Sequence, residues 1–301
     1  MSPSSEKILR FGIPKGSLEE QTIELMRKSG WRISVDSRSY VPRVDDPELN
    51  LRVMRPQEMP RYIADGHLDA AITGSDWVME NNVDLVQVES FIYAKVSLQP
   101  SRWVLVVPED SPVKRLEDLE GKRVATEMVG FTKRIFEERK VKVEVEFSWG
   151  ATEAKAADGL VDAIVEITET GSSLRANNLR IVEELLTSNP VLVANPASWK
   201  DEWKQAKVRQ IAVLMRAALD ADNRVGLKLN VAKKNLEKII AVLPAITAPT
   251  ISYLYPSAVL KGEEWVAVET MIAEHTVREL FPKLLEAGAV GIVEYPLNKI
   301  I

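Results

Sequence analysis

Short apolar runs alternate with amphipathic segments along most of the chain. The run KILRFGIP stops at Pro14, and SLEEQTIELMRKSG follows as a predicted helix that ends at Gly30. Ser17 and Glu20 predict a capping box at the start of that helix. The runs LNLRVMRP and AAITG each precede another helical segment. Because strands that alternate with helices form βαβ units, this part of the chain predicts an α/β lobe with a parallel sheet.

The same alternation starts again near Ser101. RWVLVVPEDSP, the end of LEDLEGKRVATEM, VEVEFSW and AIVEI are predicted strands, and GFTKRIFEERK and ATEAKAADGLVD are predicted helices. We predict a two-lobed, periplasmic-binding-protein-like α/β arrangement with the second lobe inserted in the first. Residues 1–98 and 187–220 would form lobe I, and residues 99–186 would form lobe II. A cleft between two such lobes is where a ligand is expected.

The last eighty residues follow a different plan. VGLKLNV, PTISYLY, EWVAVETMI and GIVEYPLNKI predict strands, whereas NLEKIIAVL and TVRELFPKLLEAG predict helices. The order β-α-β-β-α-β predicts a ferredoxin-like module over residues 221–301. Such a module is complete without the cleft, so we expect it to regulate or to oligomerise.

Composition removes several classes of function. The 301-residue chain has no cysteine, only two histidines and a formal net charge of −5. These values exclude disulfides, thiol catalysis and Cys-ligated metals, and they argue against a nucleic-acid partner. No signal-peptide core and no apolar run of membrane-spanning length is present, so the sequence predicts a cytoplasmic protein with no membrane partner.

A hydroxyl-rich loop follows the predicted strand AIVEI. The loop runs from Thr168 through Glu169, Thr170 and Gly171 to Ser172 and Ser173, and Glu166 lies just before it. Free backbone amides and hydroxyls after a strand can bind a phosphate, and a glycine lets the ligand approach the backbone. Glu166 could contact ribose hydroxyls or a water on magnesium. A plain polar turn is an equally good interpretation of the loop by itself.

Several motifs in order resemble one enzyme family. GIPKGSL, RSYVPRVDDPE, RPQEMPRYIADGHLDAAITGSDW, RWVLVVPEDSPV, FSWGATEAK, DAIVEITETGSSLRANNLRIVEELL and EYPLNKII resemble ATP phosphoribosyltransferase of histidine biosynthesis, in its long form. Glu166 departs from the pattern, because many members have aspartate there. The resemblance implies a magnesium-dependent transfer of phosphoribose from phosphoribosyl pyrophosphate to N1 of ATP, with feedback inhibition by histidine and assembly into dimers and hexamers.

The resemblance also implies three sets of site residues. Catalysis would involve Lys15, Arg55 and Glu166, and no metal ligand can be named. Phosphoribosyl pyrophosphate would bind at Glu166, Thr168, Glu169, Thr170, Gly171, Ser172 and Ser173. ATP would bind at Lys15, Gly16, Arg55, Thr73, Gly74 and Asp76. Histidine would bind at Asn230, Ile246, Ala248 and Gly291.

Plainer roles stay open for these residues. Lys15 could be an exposed loop lysine, Arg55 could pair with Glu58, and Asp76 could cap a helix. Tight packing at a subunit contact is an alternative for the small residues of the C-terminal module. Trp77, Trp103 and Trp149 are expected to pack in the core or between lobes rather than to stack on adenine.

Two other functions fit two α/β lobes around a cleft. A solute-binding protein would hold one ligand without turnover, since a fold does not determine a function. A catalytically silent regulatory subunit is the third interpretation, and the presence of Lys15, Arg55 and the 168–173 loop argues against it.

Overall fold

The structure is a computed structural model that describes residues 7–36, 40–93, 101–244, 248–255 and 263–301. Two compact units are present, Met1–Ala212 and Val213–Ile301, and the division between them falls within a long helix. No helix in the described ranges combines the length and the apolar character needed to cross a bilayer.

The first unit is built from short strands and helices in alternation. Its strands are β1 (Leu9–Pro14), β2 (Ile33–Ser34), β3 (Arg43–Val44), β4 (Leu49–Met54), β5 (Ala70–Gly74), β6 (Val86–Ser90), β7 (Ser101–Pro108), β8 (Arg123–Thr126), β9 (Glu144–Phe147), β10 (Ala163–Thr168), β11 (Leu179–Ser188) and β12 (Pro190–Ala194). Its helices are α1 (Glu19–Ser29), α2 (Met59–Ala64), α3 (Ser75–Asn81), α4 (Val129–Glu138), α5 (Thr152–Ala157), α6 (Ser172–Ala176), α7 (Pro196–Trp199) and α8 (Glu202–Ala221), which continues into the second unit.

Two five-stranded sheets organise this unit. The first has the order β4-β1-β5-β12-β6 and the second the order β11-β7-β10-β8-β9. The predicted parallel pairing is present between β1 and both β4 and β5, and between β8 and both β9 and β10. Both sheets are nevertheless mixed, because β12 pairs antiparallel with β5 and β6, and β7 pairs antiparallel with β10 and β11. β7 and β12 are the strands at which the chain crosses from one sheet to the other, and each runs opposite to the neighbours with which it pairs. The two-lobed α/β class is confirmed, whereas the exact lobe boundaries stay predictions.

Burial explains why these segments form central strands. Every residue of β5 is buried, and β4 at the sheet edge alternates between buried and partly buried positions. Helices covering both faces of a sheet require such continuous apolar runs. Trp103, Leu105 and Val165 belong to the core of the second sheet, together with Phe136 from α4. The cores therefore lie against the sheets and leave the strand ends to form the site.

The start of α1 differs from the prediction. Leu18 occupies the N-cap position, and its side chain accepts no capping bond. The Gly16 amide donates to Glu19 Oε2 at 3.4 Å, so Glu19 and not Glu20 reaches back to the chain before the helix. Gly30 ends the helix in the left-handed conformation, as predicted.

The second unit is a four-stranded antiparallel sheet with two helices. Its elements are β13 (Arg224–Ala232), α9 (Leu236–Val242), β14 (Thr250–Tyr253), β15 (Trp265–Ala273), α10 (Val277–Glu286) and β16 (Val290–Pro296). The strand order is β14-β15-β13-β16, which is the ferredoxin-like arrangement. Leu227, Leu229, Ile239, Val268 and Leu284 form its own apolar core. The predicted β-α-β-β-α-β module is confirmed.

Candidate active site

The hydroxyl-rich loop joins β10 to α6 at the end of a buried strand. Gly171 has φ +71° and lies directly before α6. Its amide donates to Thr168 Oγ1 at 2.8 Å, and Thr170 Oγ1 donates to Ser172 Oγ at 3.1 Å. Thr170, Ser172 and Ser173 are exposed. The loop thus has a fixed turn and an outer row of hydroxyls, which is the surface expected to receive a phosphate.

Glu166 is a half-buried acid near two other acids. Burial raises its pKa to about 7, and the charges of Glu153 and Glu127 add to this effect. Its Oε1 accepts the Ile167 amide at 3.1 Å, which opposes the rise in pKa. Burial also raises the pKa of Glu127, just after β8, and the charge of Asp76 contributes. The end of the second sheet therefore carries negative potential that an incoming cation would relieve.

Lys15 and Gly16 follow β1 at the matching end of the first sheet. The Lys15 amide donates to the Met54 carbonyl at 2.7 Å, which holds this turn against β4. Its ammonium lies 4.0 Å from the centre of the Tyr40 ring. Gly16 has φ +101°, a conformation that favours glycine. Lys15 lines one pocket with Ile167 and Glu169, so it faces the start of the hydroxyl-rich loop.

Asp76 is almost completely buried where the lobes meet. Its Oδ2 accepts Trp103 Nε1 at 2.7 Å, and its Oδ1 accepts the Trp77 amide at 2.9 Å. Burial raises the pKa of the carboxyl group, against the effect of these bonds. Because Trp103 belongs to β7 and Asp76 to α3, the bond joins the two lobes. Trp77 packs edge-to-face on Trp103, so the expectation of packing is confirmed for both rings.

Thr73 and Gly74 lie just before Asp76 at the end of β5. Thr73 is buried and its Oγ1 donates to the Pro56 carbonyl at 3.1 Å. A Cβ on Gly74 would lie 2.1 Å from Asp76 Oδ1, so only glycine fits beside this carboxylate. Gly74 and Asp76 line the same pocket as Lys15. Thr73 instead positions the chain after β4.

Arg55 lies in a second pocket, directly after β4. Arg61, Gln57 and Glu127 line it too. The positive charge of Arg55 lowers the pKa of Glu127, against the larger effect of burial. The alternative pairing with Glu58 does not occur among the ion pairs of the described residues. Arg55 is therefore an exposed cation in a concave site, where a guanidinium can bind phosphate.

Most residues that line this second pocket were not predicted as site residues, and three of them add new chemistry. Glu127 contributes an acid, and Phe147 and Trp149 contribute exposed rings. Core or interlobe packing is the wrong expectation for Trp149, because 73% of this residue is exposed. The motif FSWGATEAK contained the signal, since two aromatic residues there flank a small polar one at the end of a strand.

Comparisons with known proteins indicate one family along nearly the whole chain. A family model of ATP phosphoribosyltransferase matches residues 55–217, and a model of the HisG C-terminal domain matches residues 221–299. The ATP phosphoribosyltransferase of Geotalea uraniireducens is 55% identical over 294 residues, which cover 98% of this chain and 99% of the relative. The chain belongs to the ATP phosphoribosyltransferase family.

Other ATP phosphoribosyltransferases agree with this assignment. The one from Nitratidesulfovibrio vulgaris is 50% identical over 298 residues, covering 99% of this chain and 100% of the relative. A solved structure of the ATP phosphoribosyltransferase (HisG:HisZ) complex from Thermotoga maritima is 28% identical and has a TM-score of 0.59. It covers 69% of this chain and 98% of the solved chain. The long form is confirmed by the C-terminal domain, and the chain is an enzyme of the pentosyltransferase class.

This family generally uses magnesium, and the carboxylates of the site could bind the ion together with substrate oxygens. The described residues contain no group of three or more His, Cys, Asp or Glu side chains that could hold a metal by themselves. The charge of Glu127 nevertheless adds to the raised pKa of Glu166, so the two carboxylates are close enough to interact. Magnesium commonly takes one or two carboxylates and completes its coordination with substrate phosphates and water. These two acids therefore fit an ion that enters together with a pyrophosphate.

The C-terminal domain of the ATP phosphoribosyltransferase fold brings two of the predicted histidine-site residues together. Gly291 has φ +58°, and a Cβ there would lie 3.5 Å from Asn230 Nδ2. The β13–β16 register shifts between Lys228 and Asn230, next to this pair. Ala248 is exposed just before β14. Ile246 lies outside the described residues.

Proposed function

We propose that this enzyme transfers phosphoribose from phosphoribosyl pyrophosphate to N1 of ATP, the first step of histidine biosynthesis. Adenine N1 forms a bond to C1′ of the ribose while the bond from C1′ to the pyrophosphate oxygen breaks, and its electron pair leaves with pyrophosphate. The observation that carries the proposal is the position of the hydroxyl-rich loop around Gly171. Ile167 and Glu169, at the start of this loop, line one pocket together with Lys15 of the first lobe. Phosphate-binding groups thus come from both lobes.

Each group has a definite task in this proposal. The exposed hydroxyls of Thr170, Ser172 and Ser173 bind the 5′-phosphate of the sugar. Lys15 and Arg55 neutralise the pyrophosphate and the ATP phosphates from the first lobe. Glu166 and Glu127 would hold magnesium when it is bound, and the ion would supply charge neutralisation to the leaving pyrophosphate. The same carboxylates give negative potential beside a ribose carbon that becomes cationic in the transition state.

Positioning matters more than proton transfer for this reaction. Neither histidine lies in the two pockets, and none of the proposed groups needs to act as a strong base. Holding two bound reactants in line makes the encounter effectively intramolecular, which is a large catalytic effect. The hydrogen bond from Trp103 to Asp76 connects the two lobes, and it thereby helps to hold both substrates in a constant relative position.

Turnover is tested by incubating the protein with ATP, phosphoribosyl pyrophosphate and magnesium. We expect a new ultraviolet-absorbing adduct and one pyrophosphate for each adduct. A tight ligand without turnover would support the solute-binding alternative and contradict the proposal. Omitting magnesium or either substrate is the control.

The loop assignment is tested with Gly171→Val. The left-handed φ of +71° and the Arg175 side chain, 3.2 Å from the position that a Cβ would take, mean that valine moves the turn and adds bulk. We expect turnover with phosphoribosyl pyrophosphate to fall by at least about 100-fold, because a small displacement of a bound reactant is that costly. Gly159→Val is the matched control, because Gly159 has the same φ and no atom near its Cβ position. Equal activity of the two variants would contradict the assignment.

We also propose that histidine inhibits by binding near Asn230, Ala248 and Gly291 in the C-terminal domain, and that the enzyme is a cytoplasmic homo-oligomer, a dimer or hexamer. The left-handed Gly291 beside Asn230 leaves main-chain groups accessible at the end of β13, which supports an amino-acid site there.

Val290 and Val293 of β16, with Tyr253 of β14, are exposed apolar residues on the two edge strands, which supports a subunit contact.

A further inference from the structure

Two aromatic residues stand exposed at the end of β9. Phe147 is 59% exposed and Trp149 is 73% exposed, whereas Ser148 between them is buried. Ser148 is anchored twice: its amide donates to the Thr126 carbonyl at 2.9 Å, and its hydroxyl lies 3.0 Å from Thr152 Oγ1. The anchored serine turns both rings outward, on the same side of the chain.

The turn after Trp149 is strained. Gly150 has φ +71°, and Ala151 has φ +50° and ψ +32°. A residue with a Cβ rarely adopts the left-handed region, and such strain collects at functional sites. The chain passes from Trp149 through this turn into α5, which begins at Thr152.

The two rings form one wall of a pocket. Its volume is about 490 Å³, which is the size of a nucleotide-scale ligand site. Arg55, Gln57 and Arg61 of the first lobe line it as well. A pocket that combines aromatic faces with guanidinium groups suits a planar ligand that carries negative charge.

We propose that Trp149, assisted by Phe147, is the surface on which the adenine of ATP stacks. The inference rests on the proposed function and adds to it the position of the base. Stacking there orients N1 and directs the phosphates toward the arginines of the first lobe. Trp77 and Trp103 are buried against each other, and Tyr40 is covered by the Lys15 ammonium, so none of these three rings offers an equally open face.

Trp149→Ala and Trp149→Phe test this position in the full-length chain. Base–aromatic stacking is lost in the alanine variant and largely kept in the phenylalanine variant. We expect AMP affinity, measured by calorimetry, and the KM for ATP to worsen about 5- to 150-fold in Trp149→Ala. The KM for phosphoribosyl pyrophosphate should stay within about twofold, and Trp149→Phe should restore most of the loss. Tyr255→Ala, which removes a 90%-exposed ring in the other unit, is the control.

The outcomes separate this inference from the proposed function. If the unaltered enzyme forms no adduct, the proposed function fails. If it forms the adduct while Trp149→Ala keeps the KM for ATP, only the stacking inference is overturned. A change confined to phosphoribosyl pyrophosphate, or equal damage from alanine and phenylalanine, also overturns it. Should the alanine variant fold poorly, tryptophan fluorescence decides the question. Quenching by AMP in the unaltered enzyme that is absent in Trp149→Phe supports the inference, and equal quenching in both proteins overturns it.

Discussion

Three carboxylates removed from solvent show how environment assigns different roles to the same chemical group. Asp69 accepts bonds from Arg10, Ser198 and Lys204, and these bonds hold its pKa well below the usual range despite burial. Asp76 has only uncharged donors, and burial raises its pKa. Glu166 has other acids nearby, so its pKa rises to about 7. Asp69 is thus a structural ion, whereas the raised pKa of Glu166 agrees with its proposed role in binding a cation.

Glu166→Gln is expected to stabilise the ligand-free enzyme at pH 8. A raised folded-state pKa means that stability falls as pH rises from about 4.5 to about 7 and then levels off, because the folded state loses a proton that the unfolded state has already lost. The variant should gain up to about 3 kcal/mol at pH 8 and nothing at pH 4 in urea unfolding. Equal stability of the two proteins at every pH would contradict the raised pKa. Catalysis should fall in the same variant.

At the scale of elements, one helix end links the two lobes. Glu80 of α3 accepts the Gly130 amide at 2.8 Å and the Phe131 amide at 2.7 Å, and both amides belong to the first turn of α4. The Arg134 side chain also donates to the Met79 carbonyl. A carboxylate at a helix N-terminus is stabilising because it accepts unsatisfied amides and faces the positive end of the helix dipole. This contact closes one side of the pocket that contains Trp149.

Glu80→Ala should therefore loosen the contact between the lobes. We expect a loss of about 1–2 kcal/mol in the free energy of unfolding, since two buried amides lose their acceptor. Glu138→Ala, at an exposed glutamate at the other end of α4, should change stability by less than about 0.5 kcal/mol. Urea unfolding of both variants measures the difference. A cost no larger than that of the control would show that the bond to α4 is not stabilising.

The elements themselves were largely predictable. Periodicity located the strands and helices, and it identified the ferredoxin-like module, because both depend on local apolar spacing. It did not predict the antiparallel direction of β7 and β12, since strand pairing between distant segments leaves no local signal. The start of α1 was misplaced because Ser17 has capping chemistry, whereas Leu18 occupies the N-cap position.

At the scale of the whole molecule, the chain joins a catalytic unit to a domain with its own core. That core of leucine, isoleucine and valine side chains lies within residues 225–289, so the C-terminal domain has the apolar interior that separate folding requires. Sensing histidine in one domain and reacting in the other would require coupling between the two sites, and such coupling is reciprocal in binding free energy.

Gly291→Ala should weaken inhibition by histidine. The residue has φ +58° and its Cβ would approach Asn230, so alanine strains the turn and narrows the proposed effector site. We expect the concentration for half inhibition to rise by at least about fivefold. Gly66→Ala, at a left-handed glycine with open space in the first unit, is the control. Unchanged inhibition, with a sizing measurement showing the same assembly, would place the histidine site elsewhere.

The sequence by itself determined the order of elements, the α/β and ferredoxin-like classes, the hydroxyl-rich loop and the family, because each is recorded in local spacing or in motifs. Only the tertiary structure decided which side chains share a pocket. It placed Arg55 with Glu127 and Trp149, buried Asp76 against Trp103, and raised the pKa of Glu166. Burial and electrostatic environment arise from segments that are distant in sequence, so they exist only once the lobes have packed.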